Sequence, residues 1–274
     1  MPRAAARRYD RDEITREDRT IGATEQAVRL LHITDLHLFA NSESELRGTN
    51  TDKSLRAVLG HIADSDWVAD ATLVTGDLIQ DDTLAAYHRC RDYLAPLPAP
   101  ITVCPGNHDI PELMDEVFTA DCFRINGQID AGDWRVVTLP TWVDGGAWGA
   151  LDDAELERLE AACRTDRHVL VALHHPTVDL GSRWLDGLKL ANRDSFDEII
   201  KSTGSVRCVL FGHAHQEYDH ELDGTRYLCT PSTCRQFLPG SDVFATDDRP
   251  PAYRRLQLNT DGSVTTNVEW VSHD

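Results

Sequence analysis

Positive charge, and lysine in particular, is scarce in this 274-residue chain. Lysines and arginines together number 27, of which three are lysines, against 46 acidic residues, so the formal net charge is −19. Nucleic acid is a polyanion and would be repelled by a surface of this charge. We therefore expect no nucleic-acid partner.

Long apolar runs are absent as well. No window approaches the roughly 18 consecutive apolar residues of a membrane-spanning helix, so we expect no membrane association. Residues 1–27 also lack the apolar core of a secretory signal, and they mix charges of both signs between Arg7 and Glu13. We predict a disordered, charged leader over residues 1–27 and a single domain over residues 28–274.

Cysteine is present, but not in a pattern typical of disulfides. The chain has seven cysteines, an odd number, and contains no Cys-x-x-Cys pair. Cys104 and Cys208, for example, lie inside apolar, strand-like runs. Thiols in such positions are typical of proteins in a reducing compartment. We predict free, buried cysteines and a cytoplasmic protein.

Strand-like and helix-like segments alternate regularly from Val28 onward. Apolar residues at helical spacing predict a helix over residues 51–63, and short apolar runs predict strands before and after it. Asp223-Gly224 and Asp261-Gly262, each between two strand-like runs, are hairpin signals near the end of the chain. The pattern favours one α/β domain with added antiparallel strands.

Five of the predicted strands run directly into polar residues of the types that bind metals. These clusters are Asp35-Leu36-His37, Gly76-Asp77, Gly106-Asn107-His108-Asp109, His174-His175-Pro176 and Gly212-His213-Ala214-His215. Each cluster alone is more typical of an ordinary turn or loop. In open α/β sheets, however, ligand sites lie beyond the carboxyl ends of the strands. Five clusters at five such ends therefore predict one shared site.

The order of these five motifs resembles the signature of the calcineurin-like metallophosphoesterases. The resemblance covers nearly all of the chain from about Val28 onward. Further segments resemble one branch of that superfamily, the bacterial 3′,5′-cyclic-AMP phosphodiesterases of the Icc/CpdA type. They are His32–Ala40, Leu46–Thr51, Ser182–Asp186, Gly212–Glu217 and Thr230–Phe237.

The resemblance implies an α/β fold in which two mixed β-sheets pack face to face and are flanked by helices, an αββα sandwich. It also implies a centre that holds two metal ions. One ion would be bound by Asp35, His37 and His215, the other by Asn107, His174 and His213, and Asp77 would bridge them. Imidazole and carboxylate ligands without thiolates suit iron or manganese, with zinc as an alternative.

The activity implied is hydrolysis of 3′,5′-cyclic AMP to 5′-AMP by a hydroxide that bridges the two metals. His108 would be the catalytic acid that protonates the leaving 3′-oxygen and stabilises the phosphoryl oxygens. The substrate would lie against His37, Asp77, Asn107, His108 and His215. Two alternatives stay open: a broad-specificity phosphodiesterase acting on 2′,3′-cyclic nucleotides or glycerophosphodiesters, and a non-catalytic scaffold of the same fold.

The surroundings of the site are less well determined by the sequence. The resemblance implies that the first histidine of the His-x-Pro motif, His174, is the ligand, so His175 is expected to pack beside the site. Asp109 either orients His108 or caps a turn. Three loop aromatics, Phe39, Trp148 and Phe237, are candidates to overhang the site, and Arg47 and Asn50 are candidates to contact ribose or phosphate.

Overall fold

The computed structural model describes residues 19–21 and 26–272. The strands are β1 (Arg19–Ile21), β2 (Val28–Ile33), β3 (Glu45–Leu46), β4 (Thr49–Asn50), β5 (Ala71–Thr75), β6 (Ile101–Cys104), β7 (Phe123–Ile125), β8 (Gly127–Ala131), β9 (Trp134–Thr138), β10 (His168–Ala172), β11 (Val206–Phe211), β12 (Tyr218–Leu222), β13 (Thr225–Cys229), β14 (Gln236–Phe237), β15 (Thr246–Asp247), β16 (Ala252–Leu258) and β17 (Val264–Trp270). The helices are α1 (Thr51–Ala63), α2 (Leu84–Leu94), α3 (Pro111–Val117), α4 (Asp153–Cys163), α5 (Arg183–Asp186) and α6 (Arg193–Thr203).

Two large mixed sheets form the centre of the molecule. One has the strand order β17-β16-β2-β5-β6-β7, and the other has the order β1-β8-β9-β10-β11-β13-β12. Strands β2, β5 and β6 are parallel neighbours in the first sheet, and β10 and β11 are parallel neighbours in the second. The motif-bearing strand ends therefore lie side by side within each sheet.

Three apolar clusters define the layers. A middle cluster joins residues of both sheets, for example Leu30 and Leu73 from the first with Val136 and Leu170 from the second. A second cluster packs α1, α2 and α3 on the outer face of the first sheet. A third packs α4 and α6 on the outer face of the second sheet. The predicted αββα sandwich is confirmed.

Side chains cap the helices that cover the sheets. The side chains of Asn50 and Asp152 accept hydrogen bonds from the backbone N–H groups three residues further on, at the starts of α1 and α4. Asp152 thus caps α4, while the carboxylate of Glu155 pairs with Arg158. Asn50 also donates to the carbonyl oxygen of Ser42, so its amide serves the local fold.

The regular elements fall largely where the sequence predicts them. Helix α1 has the predicted bounds, and strands β5, β6 and β11 lie where short apolar runs precede the polar clusters. The two predicted hairpins are β12–β13 and β16–β17. The short elements β3, β4, β7, β14, β15 and α5 are not predicted, because two to four residues carry too little periodicity.

Part of the predicted leader lies in a sheet. Residues 19–21 form β1, which pairs in parallel with Ile129–Ala131 of β8. At these three residues the structure departs from the predicted disordered leader, because their extended backbone bonds to an otherwise free sheet edge. The leader's other residues up to 25 lie outside the described residues.

The cysteines are unpaired, as the sequence predicts. All seven cysteines are unpaired and six are buried, with Cys122 half-buried. No helix in the described ranges is both long and apolar enough to cross a membrane.

Candidate metal centre

The five motif loops are tied together by hydrogen bonds between strand ends. Backbone N–H groups of Asp35 and His37 donate to the carbonyl oxygens of Gly76 and Asp77, at 3.0 and 2.9 Å. The N–H of Gly212 donates to the carbonyl oxygen of His174 at 3.1 Å. Because these bonds fix one loop against the next, the side chains they carry are held in one place.

Five of the seven predicted metal ligands have a left-handed backbone. The φ angles are 55° at Asp35, 50° at His37, 51° at Asp77, 63° at His213 and 48° at His215. This region is uncommon for residues with a side chain, and occupying it is unfavourable by about 1–3 kcal/mol per residue. Such strain persists where the surrounding structure fixes the backbone, and it clusters at functional sites.

The first group of converging atoms contains Asp35, His37 and His215. The Nε2 atoms of the two histidines lie 3.2 Å apart, and Oδ1 of Asp35 lies 3.3 Å from Nε2 of His215. All three residues are buried, with at most 3% of their surface exposed. Their potential ligand atoms lie within 4.8 Å of one another.

The second group contains Asn107, His174 and His213. Nε2 of His174 lies 3.2 Å from Oδ1 of Asn107 and 3.2 Å from Nδ1 of His213. His174 is fully buried, and Asn107 is half-buried at the edge of the group. The loops after β6, β10 and β11 thus supply one oxygen and two nitrogens that face a common point.

Asp77 lies between the two groups and faces both. Its Oδ2 is 3.7 Å from Nε2 of His37, and its Oδ1 is 3.5 Å from Nε2 of His174. Oδ1 also accepts a hydrogen bond from the backbone N–H of His108 at 2.9 Å. One carboxylate therefore directs one oxygen to each group, as a bridging ligand requires.

Hydrogen bonds at Nδ1 fix the ring orientation of three of the histidines. Nδ1 of His37 bonds Oε1 of Gln80 at 2.9 Å, that of His174 the carbonyl of Thr75 at 2.6 Å, and that of His215 the carbonyl of Arg235 at 2.5 Å. Since these partners are acceptors, Nδ1 carries a proton in each ring, and Nε2 is the nitrogen that faces the centre. This arrangement is typical of histidines that bind metals.

Burial and charge set the protonation of the cluster. Burial lowers the pKa of both His37 and His213 to about 3, despite the nearby carboxylates, so both rings are neutral. At Asp35 and Asp77 burial acts to raise the pKa, but His215 and His174 respectively outweigh it and hold both carboxyls below their ordinary range. At His174 burial acts to lower the pKa, but the negative charge of Asp77 outweighs it and raises the pKa to about 9.

The donor set and its spacing fit two cations. Bonds of about 2.0–2.2 Å to nitrogen and oxygen place neighbouring ligand atoms roughly 3.0–3.5 Å apart. The distances of 3.2 and 3.3 Å within the groups match this spacing. Nε2 of His37 faces Nε2 of His215 lone pair to lone pair, which is favourable only with a positive charge between them.

Gly212 allows the two sheets to meet at the site. A Cβ atom at this position would overlap Oγ1 of Thr34 and would lie 2.7 Å from Oδ2 of Asp35. The glycine that precedes His213 in the Gly-His-x-His motif is therefore required by the close approach of the two strand ends.

Gln80 is a site residue that the sequence pattern did not reveal. Its Oε1 accepts from His37, and its Nε2 lies 3.3 Å from Nδ1 of His108. With Oε1 engaged by an N–H, the amide nitrogen is the donor to His108. Because Nδ1 of His108 accepts this bond, the single N–H of the neutral ring is at Nε2. The only available sequence signal was its position three residues after Asp77.

Asp109 caps a turn, which is one of the two roles expected for it. Its carboxylate accepts hydrogen bonds from the N–H groups of Leu78 and Gly106 and from the hydroxyl of Tyr87. It thus caps the turn of the Gly-Asn-His-Asp motif and links it to the loop after β5. The residue bonded to the His108 ring is Gln80.

His175 packs beside the centre. Its ring centroid is 4.8 Å from that of His174 and 4.7 Å from that of His213, and its Nδ1 bonds Oγ1 of Thr141 at 2.8 Å. Its Nε2 has no hydrogen-bond partner within the described part of the chain. The preference for His174 over His175 as the ligand stays a prediction.

Phe237, one of the three candidate aromatics, contacts a candidate ligand. It stacks on His215 and belongs to an aromatic cluster with Trp184 and Phe244, whose ring centroids lie 5.2 and 5.4 Å from its own. The guanidinium of Arg47 lies 4.1 Å from the centre of the Phe244 ring. Trp148 is 45% exposed.

The fold and the shared carboxylate define a class of protein, and sequence comparison agrees. The profile of the calcineurin-like phosphoesterase family matches residues 28–217. The chain therefore belongs to the calcineurin-like phosphoesterases, a hydrolytic family whose members use a binuclear metal centre. The resemblance predicted from the five motifs is confirmed.

Within this family, the chain is similar to curated cyclic-nucleotide phosphodiesterases. It is 38% identical to the 3′,5′-cyclic adenosine monophosphate phosphodiesterase CpdA of Pseudomonas aeruginosa, with 91% of this chain and 92% of the relative covered. The CpdA of Escherichia coli K12 is also 38% identical, with 90% of each chain covered. A 3′,5′-cyclic-nucleotide phosphodiesterase of Nostoc is 33% identical, with 90% and 93% covered.

Solved structures share the fold at much lower identity. A dimetal phosphatase from Danio rerio superposes with a TM-score of 0.59 at 16% identity, covering 90% of this chain and all of that one. GAP50 of Plasmodium, described as the anchor in the inner membrane complex, superposes with a TM-score of 0.60 at 10% identity, covering 90% and 85%. At these identities the likeness establishes the fold alone.

Proposed function

We propose that this protein is a binuclear-metal phosphodiesterase that hydrolyses 3′,5′-cyclic AMP to 5′-AMP. The observation that carries the proposal is the position of Asp77, which directs one carboxylate oxygen to each of two groups of candidate ligands. The identity of the substrate is supported by the curated relatives that bear this activity in their names and align over about nine-tenths of the chain.

The proposed ligands follow the two groups. Asp35, His37 and His215 would hold one ion, Asn107, His174 and His213 the other, and Asp77 both. When bound, the two cations supply positive charge for the substrate phosphate and lower the pKa of bound water. Iron and manganese suit this nitrogen and oxygen set, and zinc is the alternative.

His108 is the proposed catalytic residue. Its ring lies beside that of His37, with the two centroids 5.0 Å apart, and it is half-buried like Asn107, whereas the other candidate ligands are buried. The donor bond from Gln80 to Nδ1 leaves the proton on Nε2. That N–H can protonate the 3′-oxygen as it leaves and can hydrogen bond a phosphoryl oxygen.

The proposed substrate contacts surround the same edge of the site. A phosphate held there would meet His37, Asp77, Asn107, His108 and His215. The buried floor excludes water from behind the phosphate, while the half-buried Asn107 and His108 mark the open side. We further propose that the protein works in the cytoplasm, which its unpaired thiols support.

Purified protein tests the proposal directly. It should be reconstituted separately with Mn²⁺, Fe²⁺ and Zn²⁺ and assayed with 3′,5′-cAMP, 3′,5′-cGMP, 2′,3′-cAMP and bis(p-nitrophenyl) phosphate. We expect 3′,5′-cAMP to have the highest kcat/KM among the natural diesters. A preference for 2′,3′-cAMP would favour a broad-specificity phosphodiesterase, and two bound metals without turnover of any substrate would favour a scaffold.

A further inference from the structure

A continuous chain of buried side chains connects the guanidinium of Arg254 with the carboxylate of Asp35. In order, its members are Arg254, Thr230, His32, Thr75, Thr34 and Asp35, and the successive hydrogen-bond lengths are 3.1, 2.6, 2.8, 2.9 and 2.8 Å. Each member is at most 1% exposed. Because Arg254 lies on β16 and Thr230 follows β13, the chain also joins the two sheets.

The guanidinium at one end and the carboxylate at the other set the direction of the hydrogen bonds between them. Arginine can only donate, so Oγ1 of Thr230 accepts from it and gives its own proton to Nδ1 of His32. His32 must then carry its proton on Nε2, which donates to Oγ1 of Thr75. In the reverse direction, Thr230 would accept hydrogen bonds from both Arg254 and His32. Its own hydroxyl proton would then have no acceptor among the described residues.

The last two hydrogen bonds of this series lead to the carboxylate of Asp35. The hydroxyl of Thr75 donates to that of Thr34, which in turn donates to Oδ2 of Asp35 at 2.8 Å. The carbonyl of Thr75 lies 3.0 Å from the same hydroxyl, but Oδ2 of Asp35 is nearer and belongs to a charged group, so it is the stronger acceptor. Bonds aligned in one direction polarise one another, so the chain places positive character at the carboxylate.

The chain distinguishes the two oxygens of Asp35. Oδ2 alone accepts from Thr34, at 2.8 Å, whereas the backbone N–H of His213 is shared between Oδ2 and Oδ1, at 3.0 and 3.2 Å. Oδ1 faces the first group of candidate ligands, 3.3 Å from Nε2 of His215. A carboxylate whose one oxygen is locked presents the other in a fixed direction.

We propose that His32 is a positioning residue that, as its Nε2–H tautomer, orders Thr75 and Thr34 so that Asp35 presents Oδ1 to a divalent cation. The inference rests on the proposed function only in taking Asp35 as a metal ligand. Burial lowers the pKa of His32 to about 3, so the ring stays neutral at physiological pH and can both donate and accept.

The tautomer can be read without metal or substrate. Nitrogen-15 NMR of metal-free protein labelled at histidine, with His32 assigned through the His32→Gln variant, should show a protonated Nε2 and an unprotonated Nδ1. The spectrum should stay constant between pH 6 and 8, the range in which an ordinary histidine titrates. A proton on Nδ1 would overturn the proposal, whatever the outcome of the cyclic-AMP assays.

Metal affinity tests the consequence for Asp35. Thr75→Val keeps the side-chain shape but breaks the chain, and we expect it to weaken Mn²⁺ binding about 10–100-fold in calorimetry. Thr102→Val is the matched control, because Thr102 is equally buried on neighbouring β6 and its hydroxyl has no partner within the described residues. Mn²⁺ binding by Thr75→Val equal to that of Thr102→Val would overturn the proposal.

A pair of variants at His32 separates positioning from packing and serves if Thr75→Val fails to fold. Gln supplies a donor and an acceptor at this position, whereas Leu fills similar space with neither. His32→Gln should bind Mn²⁺ more tightly than His32→Leu. Equal Mn²⁺ binding by the two folded variants would contradict the proposal. If the wild-type protein bound Mn²⁺ but did not hydrolyse cyclic AMP, only the proposed substrate would be rejected.

Discussion

The imidazole of His215 lies flat against the ring of Phe237, with centroids 4.1 Å apart and planes 8° apart. The same ring is held at Nδ1 by the carbonyl of Arg235, and the N–H of Phe237 bonds the carbonyl of His215. Arg235, just before β14, and Phe237, within it, therefore determine the orientation of the His215 ring.

Removing the stacked ring should weaken the first metal position. In Phe237→Ala the His215 imidazole loses its packing partner, so we expect Mn²⁺ affinity to fall about 10–100-fold for one of two sites. Phe244→Ala is the control, because Phe244 touches Phe237 and is 41% exposed. Calorimetry with two resolved sites checks this, and identical titrations of the two variants would refute it.

Removing the shared carboxylate should affect both positions. Asp77→Ala leaves two cations without a bridge, and they would repel each other at close range. We expect activity to fall by orders of magnitude and bound metal to drop well below two per chain by elemental analysis. Asp194→Ala, at a side chain that is 99% exposed, should behave as wild type. Two metals and normal turnover in Asp77→Ala would rule out bridging.

Loss of the proposed acid should spare the metals. His108→Ala should reduce cyclic-AMP turnover by roughly 10²–10⁴, the usual effect of a positioned acid or base. The reduction should be smaller for bis(p-nitrophenyl) phosphate, because p-nitrophenolate leaves without a proton. Equal reductions for both substrates would instead indicate electrostatic binding of the phosphate. A loss of metal would place His108 among the ligands, beside His37 and Asp77.

Two substitutions of Gln80 should separate its two hydrogen bonds. Gln80→Glu keeps an acceptor for Nδ1 of His37 but cannot donate to His108, so metal content should be retained while cyclic-AMP turnover falls. Gln80→Leu removes both bonds and should lower metal affinity as well. If Gln80→Glu turned over cyclic AMP at the wild-type rate, the amide would have no part in setting the proton on His108.

Strand β1 predicts different effects for two truncations. Deletion of residues 1–18 should leave the thermal midpoint unchanged, as expected for a leader. Deletion of residues 1–25 removes β1 and exposes the edge of β8, so the midpoint should fall by a few degrees, since each lost hydrogen bond contributes about 1 kcal/mol. Turnover should survive both deletions. Equal midpoints for the two proteins would show that β1 contributes no stability.

The sequence alone determined most of the longer regular elements and the identity of the motif residues. Apolar periodicity predicted α1 over residues 51–63 with its observed bounds, because amphipathic spacing is a local property of consecutive residues. The polar clusters that follow buried strands identified Asp77 and His174 as members of one site. The family resemblance then supplied the αββα arrangement that periodicity could not.

Tertiary structure decided what joins residues distant in the sequence. The direction of the two Asp77 oxygens, the donor bond from Gln80 to His108 and the buried chain from Arg254 to Asp35 depend on which strands are neighbours. The left-handed backbone at His215 is also unfavourable locally and is held by contacts made elsewhere. Local pattern cannot specify such features, because the energy that maintains them comes from the packing of two sheets rather than from adjacent residues.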